Sequence, residues 1–185
     1  MKFDPDVHHR RSLRLQGFDY RSAGAYFVTI CTSERLCTLG AVVDQAVDLS
    51  REGAIIQEVW RSLPDRFAGG ETDAFVVMPN HVHGVIVLAG AQFTASNQSC
   101  EAKRSPMLGE VVRTFKAAST RLIRASGSEG FAWQRGYYEH VVRNEIDLQR
   151  VRDYIEANPS FWEEDPENPA VPRTKPDKIT GGFQA

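Results

Sequence analysis

Cysteine is scarce in this chain: three in 185 residues, at Cys31, Cys37 and Cys100. An odd count with no Cys-x-x-Cys pair points neither to a disulfide framework nor to a zinc finger. It fits a reducing cytoplasm. No apolar run reaches the ~20 residues that span a bilayer, so no membrane association is expected. The opening segment MKFDPDVHHRR has no apolar core and is not expected to act as a signal peptide. A charge of one sign is also lacking: 22 Lys and Arg face 24 Asp and Glu, for a formal net charge of -2. That argues against a blanket electrostatic grip on nucleic acid, while a local basic face remains open. No internal repeat is visible. The length fits a single domain with a sizeable core.

What is present is a succession of short strands and amphipathic helices. GAYFVTICTS, Gly24 to Ser33, is rich in β-branched and aromatic residues and reads as a strand. AVDLS reads as a second, short one. In REGAIIQEVWRSLPDRF, Arg51 to Phe67, helical spacing puts Ile55, Ile56, Val59, Trp60 and Leu63 on one face, with Ser50 as N-cap. DAFVVMPN and HVHGVIVL read as a hairpin, because Pro79 and Asn80 carry turn chemistry. Residues 89–106 have loop composition. Met107 to Ser126 forms an amphipathic helix, FAWQRGYYEHVV an extended segment, and Asn144 to Pro159 a helix that Pro159 closes. Residues 160–185 carry proline and acidic charge without periodicity and are expected to form a poorly structured tail behind a single domain over 1–159. The order predicts an α+β fold: a ferredoxin-like antiparallel sheet with helices packed mainly on one face.

Within VVMPNHVHGVIVL, His81 and His83 interrupt an apolar run. Residues two apart in a strand share a face, so the two imidazoles lie side by side while Val82 turns into the core. This suits two ligands of one divalent ion; it suits equally a polar strand face with two solvated or hydrogen-bonded histidines. RDYIEANP places Tyr154 and Asn158 four apart on one helix face. Asn158 could then supply a further metal ligand beside Tyr154. A phenol is a weak nucleophile at neutral pH, its ordinary pKa being about 10. A metal that polarises a phosphodiester would let Tyr154 attack phosphorus and form a covalent phosphotyrosine.

VVMPNHVHGVIV together with WQRGYYEHVVRNEIDLQRVRDYIEANP resembles the REP-associated tyrosine transposases, single-tyrosine members of the HUH class. The resemblance extends to RRSLRLQGFDY, GAYFVTICT and LGEVVRTFKAASTRLI. It implies an HUH domain that cleaves and joins single-stranded DNA, with Mg²⁺ or Mn²⁺ on His81 and His83. It implies Tyr154 as nucleophile, leaving a 5′-phosphotyrosine and a free 3′-hydroxyl. Asn158 is the third ligand it points to, with His140 in YYEHVVRN as competitor and also readable as a structural histidine. It implies hairpin-forming DNA as partner, a nucleoid-associated setting and the possibility of a homodimer. No small-molecule cofactor is expected.

The helix from Met107 to Ser126 carries Arg113, Lys116, Arg121 and Arg124 against Glu110 alone. Arg113, Lys116 and Arg121 are therefore candidate phosphate contacts, as is Arg143 on the family resemblance; each reads equally as a solvated cation. Tyr137 and Tyr138 are candidates for stacking unpaired bases. Two other functions fit the same residues: a DNA-binding protein of this fold without turnover, and a metal-dependent nuclease that uses water.

Overall fold

The computed structural model describes residues 23–67, 69–89 and 106–172. The arginines at 10, 11, 14 and 21, Lys103 and Arg104, and most of the loop after Leu88 lie outside the described residues.

Among the described residues six strands and four α-helices follow one another as β1 (Gly24–Cys31), β2 (Gly40–Val43), β3 (Ala46–Leu49), α1 (Arg51–Arg61), α2 (Leu63–Arg66), β4 (Gly70–Val77), β5 (His81–Leu88), α3 (Leu108–Ala125), β6 (Tyr138–Val142) and α4 (Glu145–Ala157). The main sheet runs β4-β5-β1-β6, and every neighbouring pair is antiparallel. Taken alone, β1, α1, β4, β5, α3 and β6 are a ferredoxin-like unit, as the sequence predicts.

The alternation along β1 and β5 divides the molecule into two layers. Tyr26, Val28 and Ile30 of β1, with Val82, Ile86 and Leu88 of β5, pack under α1 and α3 in the larger core. There Trp60 of α1 stacks on Phe75 at 4.4 Å between ring centroids. Gly84 makes room for it: a Cβ at that position would lie 2.4 Å from the Trp60 ring. The opposite face carries Phe27, Val85 and Val87, and α4 covers it with Leu148, Val151, Tyr154 and Ile155. Among the described residues the α-helices are thus divided between the faces, with α4 on the face that bears the histidines.

Local chemistry explains the boundaries. Ser50 caps α1, its hydroxyl accepting from Gly53 N at 3.1 Å. The helix predicted through Phe67 breaks at Ser62, because Pro64 has no N–H to continue the ladder and opens the short α2 instead. β2 was not legible beside β3; Asp44 and Gln45 join them with φ of 49° and 63°, the two left-handed residues of a type I′ hairpin turn. Glu110 closes the start of α3 through its carboxylate on Met107 N, 3.0 Å away. Asn144 caps α4 through Asp147 N at 2.9 Å.

The chain past α4 departs from expectation. Asn158–Glu164 form a 3-10 helix, and Asp165 and Asn168 beyond it are buried. Pro159 ends the α-helix without ending the ordered chain, and the segment turns back against the start of β5. Residues 173–185 lie outside the described residues. No helix of the described residues is long and apolar enough to cross a membrane.

Candidate active site

The histidines stand where β5 begins, one pair of rungs above Phe27. Register places His83 opposite Thr29 and His81 opposite Cys31. Both are buried, at 0% and 3% exposure, rather than lying on an open strand surface. Their Nε2 atoms face one another at 3.0 Å. The far nitrogens are each engaged: His81 Nδ1 with Asn80 Oδ1 at 2.8 Å, His83 Nδ1 with Thr29 Oγ1 at 2.9 Å. Burial holds both imidazoles neutral, moving His81 well below its ordinary range and His83 down to about 3. Neutral imidazole is the form that ligates metal.

Tyr154 reaches the same point from α4. Its hydroxyl lies 3.5 Å from His83 Nε2, and its ring meets the edges of His83 and Phe27 at 5.2 and 5.8 Å. Phe27 in turn stacks on His83 at 5.3 Å. Burial, reinforced by Asp165, pushes the Tyr154 phenol up to about 12.

The residue the sequence reading missed is Asp165. Its Oδ2 lies 3.7 Å from His81 Nε2. Ligand atoms of His81, His83 and Asp165 all fall within 4.8 Å of one another, and all three residues are buried. Burial raises the Asp165 carboxyl, while the Glu167 N–H on its other oxygen opposes the rise. The Asn158 amide hydrogen-bonds to Tyr154 and Asp165 and lowers both. Its own Oδ1 is buried without a hydrogen-bond partner among the described residues. A buried acceptor left unmade costs about 1–3 kcal/mol.

These observations fit a divalent cation. Two imidazole nitrogens and a carboxylate oxygen converge, and the Asn158 amide that hydrogen-bonds to Asp165 leaves its own oxygen unpartnered among the described residues. Two nitrogens bound side by side to an octahedral ion at about 2.1 Å are about 3.0 Å apart, the separation seen here. His140, the competing third ligand, is elsewhere: its Nε2 pairs with Asp147 at 3.0 Å, joining β6 to the first turn of α4.

The candidate DNA contacts divide. Arg113, Lys116, Arg121 and Arg124 line a groove of about 810 Å³ between α3 and the segment carrying Trp133 and Tyr137. This groove belongs to the α3 layer, across the sheet from the histidines. Lys116 turns inward, donating to Gln134 O at 2.9 Å and to Gly136 O, and burial moves it down to about 8. It ties that segment to the helix. Arg113 and Arg121 remain exposed, as does Arg143 at the β6–α4 turn, where its backbone N–H donates to Asp147. Tyr137 and Tyr138 face opposite layers, packing on the larger and smaller cores respectively.

The result is a ferredoxin-like sheet with a His-x-His pair on an inner strand, closed by a helix that sets a tyrosine against the histidines. The chain shares its fold with a REP-associated tyrosine transposase solved bound to a REP hairpin: TM-score 0.54, 21% identity, covering 80% of this chain and 73% of that one. No family model matches the sequence. An uncharacterized protein of Haemophilus influenzae is 35% identical over 172 residues, 89% of this chain and 96% of that one. The chain belongs to the same family as that protein.

Proposed function

We propose that this protein is a DNA strand transferase. In this reading Tyr154 cuts single-stranded, hairpin-forming DNA, holds one end as a 5′-phosphotyrosine and later passes it to a new 3′-hydroxyl. The observation that carries the reading is the Tyr154 hydroxyl, 3.5 Å from His83 Nε2, at the convergence of His81, His83 and Asp165.

The phenolic oxygen attacks phosphorus and forms a new P–O bond. The bond from phosphorus to the 3′ oxygen breaks. Tyrosine gives up its proton and the departing 3′ oxygen takes one up. One phosphoester is exchanged for another, so joining is the same step reversed and consumes no nucleotide. A bound Mn²⁺ or Mg²⁺, held by His81, His83 and Asp165 with Asn158 as a further oxygen donor, would polarise the scissile phosphate and stabilise the charge that develops on it. Two imidazoles among the ligands favour Mn²⁺ over the harder Mg²⁺. Phe27 and His83 hold the Tyr154 ring from two sides, which limits its orientation before substrate arrives. The high pKa of the phenol keeps it protonated at rest.

The solved relative was bound to a REP hairpin. By analogy the substrate here is a DNA hairpin with a single-stranded flank. Arg113, Arg121 and Arg124 on the α3 groove and Arg143 near α4 are the cations we assign to its phosphates. Tyr154→Phe removes one oxygen and keeps the ring packing. It should fold, bind Mn²⁺ and bind DNA, yet form no covalent product on a denaturing gel of labelled strand. An adduct that persists in this variant, or one that maps to Tyr137 or Tyr138, would overturn the assignment.

A further inference from the structure

Asn80 sits between β4 and β5, and turn chemistry alone would account for its place in Pro79-Asn80. A turn asparagine is usually exposed; this one is 0% exposed. Its side chain makes three hydrogen bonds. Nδ2 donates to Arg35 O at 3.1 Å and to Glu167 O at 2.7 Å. Oδ1 meets His81 Nδ1 at 2.8 Å. Its backbone oxygen accepts from Thr32 N at 2.8 Å and Thr32 Oγ1 at 3.0 Å, so the main chain is fixed as well.

The directions of these bonds follow from their chemistry. Backbone carbonyls only accept, so the amide nitrogen must face Arg35 and Glu167. The amide oxygen is thereby turned to His81, and an amide oxygen cannot donate. The hydrogen in that contact therefore belongs to His81 Nδ1. A neutral imidazole carries one N–H, so His81 Nε2 is left as a bare lone pair. That lone pair faces His83 Nε2 and Asp165 Oδ2. Rotating the Asn80 amide by half a turn would set its oxygen against two carbonyl oxygens.

The same side chain holds the segment that brings the carboxylate. Asp165 Oδ1 accepts from Glu167 N at 2.6 Å, which leaves Oδ2 toward His81. Glu167 is held through its carbonyl by Asn80 and through its carboxylate by Arg35 Nε at 3.0 Å. The Arg35 guanidinium also donates to Pro166 O. Arg35 reaches there from a turn in which it and Glu34 have φ of 57° and 55°, a left-handed pair that non-glycine residues adopt at a cost.

We propose that Asn80 is the positioning residue that assembles the metal site from its two separate parts, fixing the His81 tautomer through its oxygen and anchoring the Asp165 segment through its nitrogen. The proposal rests on the reading of His81 and Asp165 as metal ligands. Partners of the non-ligating imidazole nitrogen orient metal sites generally, and their loss weakens metal binding by about 10- to 100-fold. Here one amide serves both the imidazole and the carboxylate.

The test separates the two ends of the amide. In metal-free protein labelled with ¹⁵N-histidine, long-range ¹⁵N–¹H spectra should show His81 protonated at Nδ1, with His81→Gln used to assign the signal. Asn80→Ala should lose the single tautomer and lower Mn²⁺ affinity about 10- to 100-fold in calorimetry. Asn80→Asp keeps an oxygen acceptor and lacks both donors. It should retain Nδ1–H while amide exchange at Asp165 and Glu167 rises, as it does in the alanine variant. A parent protein with His81 protonated at Nε2 overturns the proposal even where a variant does not fold. So does an alanine variant that keeps Nδ1–H and binds Mn²⁺ within twofold of the parent. A parent that shows Nδ1–H and binds no Mn²⁺ would overturn the metal reading and leave the tautomer assignment standing.

Discussion

At the scale of single residues, the site is made of groups whose ordinary behaviour has been altered by burial. His81 and His83 are kept neutral and Tyr154 protonated, while Asp165 is raised against the pull of the Glu167 N–H. The four polar groups lie together with the Arg35 guanidinium acting on His81 and Asp165 from beside them, and withdrawing such groups from water costs free energy that a bound cation would offset. Asp165→Ala removes the only carboxylate among the ligand groups of the described residues. It should weaken Mn²⁺ by at least tenfold in calorimetric titration. Affinity equal to the parent's would leave the histidines and Asn158 as the whole site. His81 and His83 are less forgiving positions, since truncating a buried side chain leaves a cavity as well as a missing ligand. Asp165 and Tyr154→Phe are the cleaner probes for that reason.

At the scale of elements, α4 must be held in place for Tyr154 to meet the histidines. One clamp is a two-pronged ion pair from Arg152 to Asp73 on β4, Nε to Oδ1 at 2.9 Å and Nη2 to Oδ2 at 2.7 Å. The guanidinium hydrogen bonds hold Asp73 below the usual carboxylate range. A lowered carboxyl contributes stability above its unfolded pKa of about 3.9 and loses it as pH falls through the folded value. Asp73→Asn should therefore melt a few degrees below the parent at pH 7 and converge with it as pH falls through the lowered Asp73 pKa; a gap that persists once Asp73 is protonated would mean that the pair is not its source. These helices and strands were largely legible, because the apolar spacing of α1, α3 and α4 and the β-branched runs of β1 and β5 are local signals. The histidine pair and Tyr154 were legible for the same reason: each is fixed by alternation or by one helical turn. Asp165 was not. Its place depends on a reversal of the chain after Pro159 and on hydrogen bonds to Asn80 and Arg35, more than 80 and 130 residues away in sequence. The proline and acidic charge around it, without periodicity, read as a poorly structured tail. Lys116 was legible on a basic helix face, whereas its bonds to Gln134 O and Gly136 O depend on the packing of residues 134–136 and were not.

At the scale of the whole molecule, near-neutral net charge conceals an uneven distribution. Four cations line the α3 groove, with no acidic residue among its lining, while the candidate active site is on the other side of the sheet. If DNA uses both surfaces, it must pass around an edge of the molecule. Replacing Arg113 and Arg121 together should lower hairpin affinity and reduce the slope of log affinity against log salt by about 1 to 2; an unchanged slope would remove the groove from the DNA path. The single chain, meanwhile, brings its tyrosine helix onto its own histidines. A genetic consequence follows from that arrangement. Two inactive chains, one carrying Tyr154→Phe and the other His81→Ala, should not rescue each other when mixed in any ratio, because each defect stays with the chain that bears it. Recovery of cleavage in the mixture would mean that α4 can leave its own sheet and dock on a neighbour's.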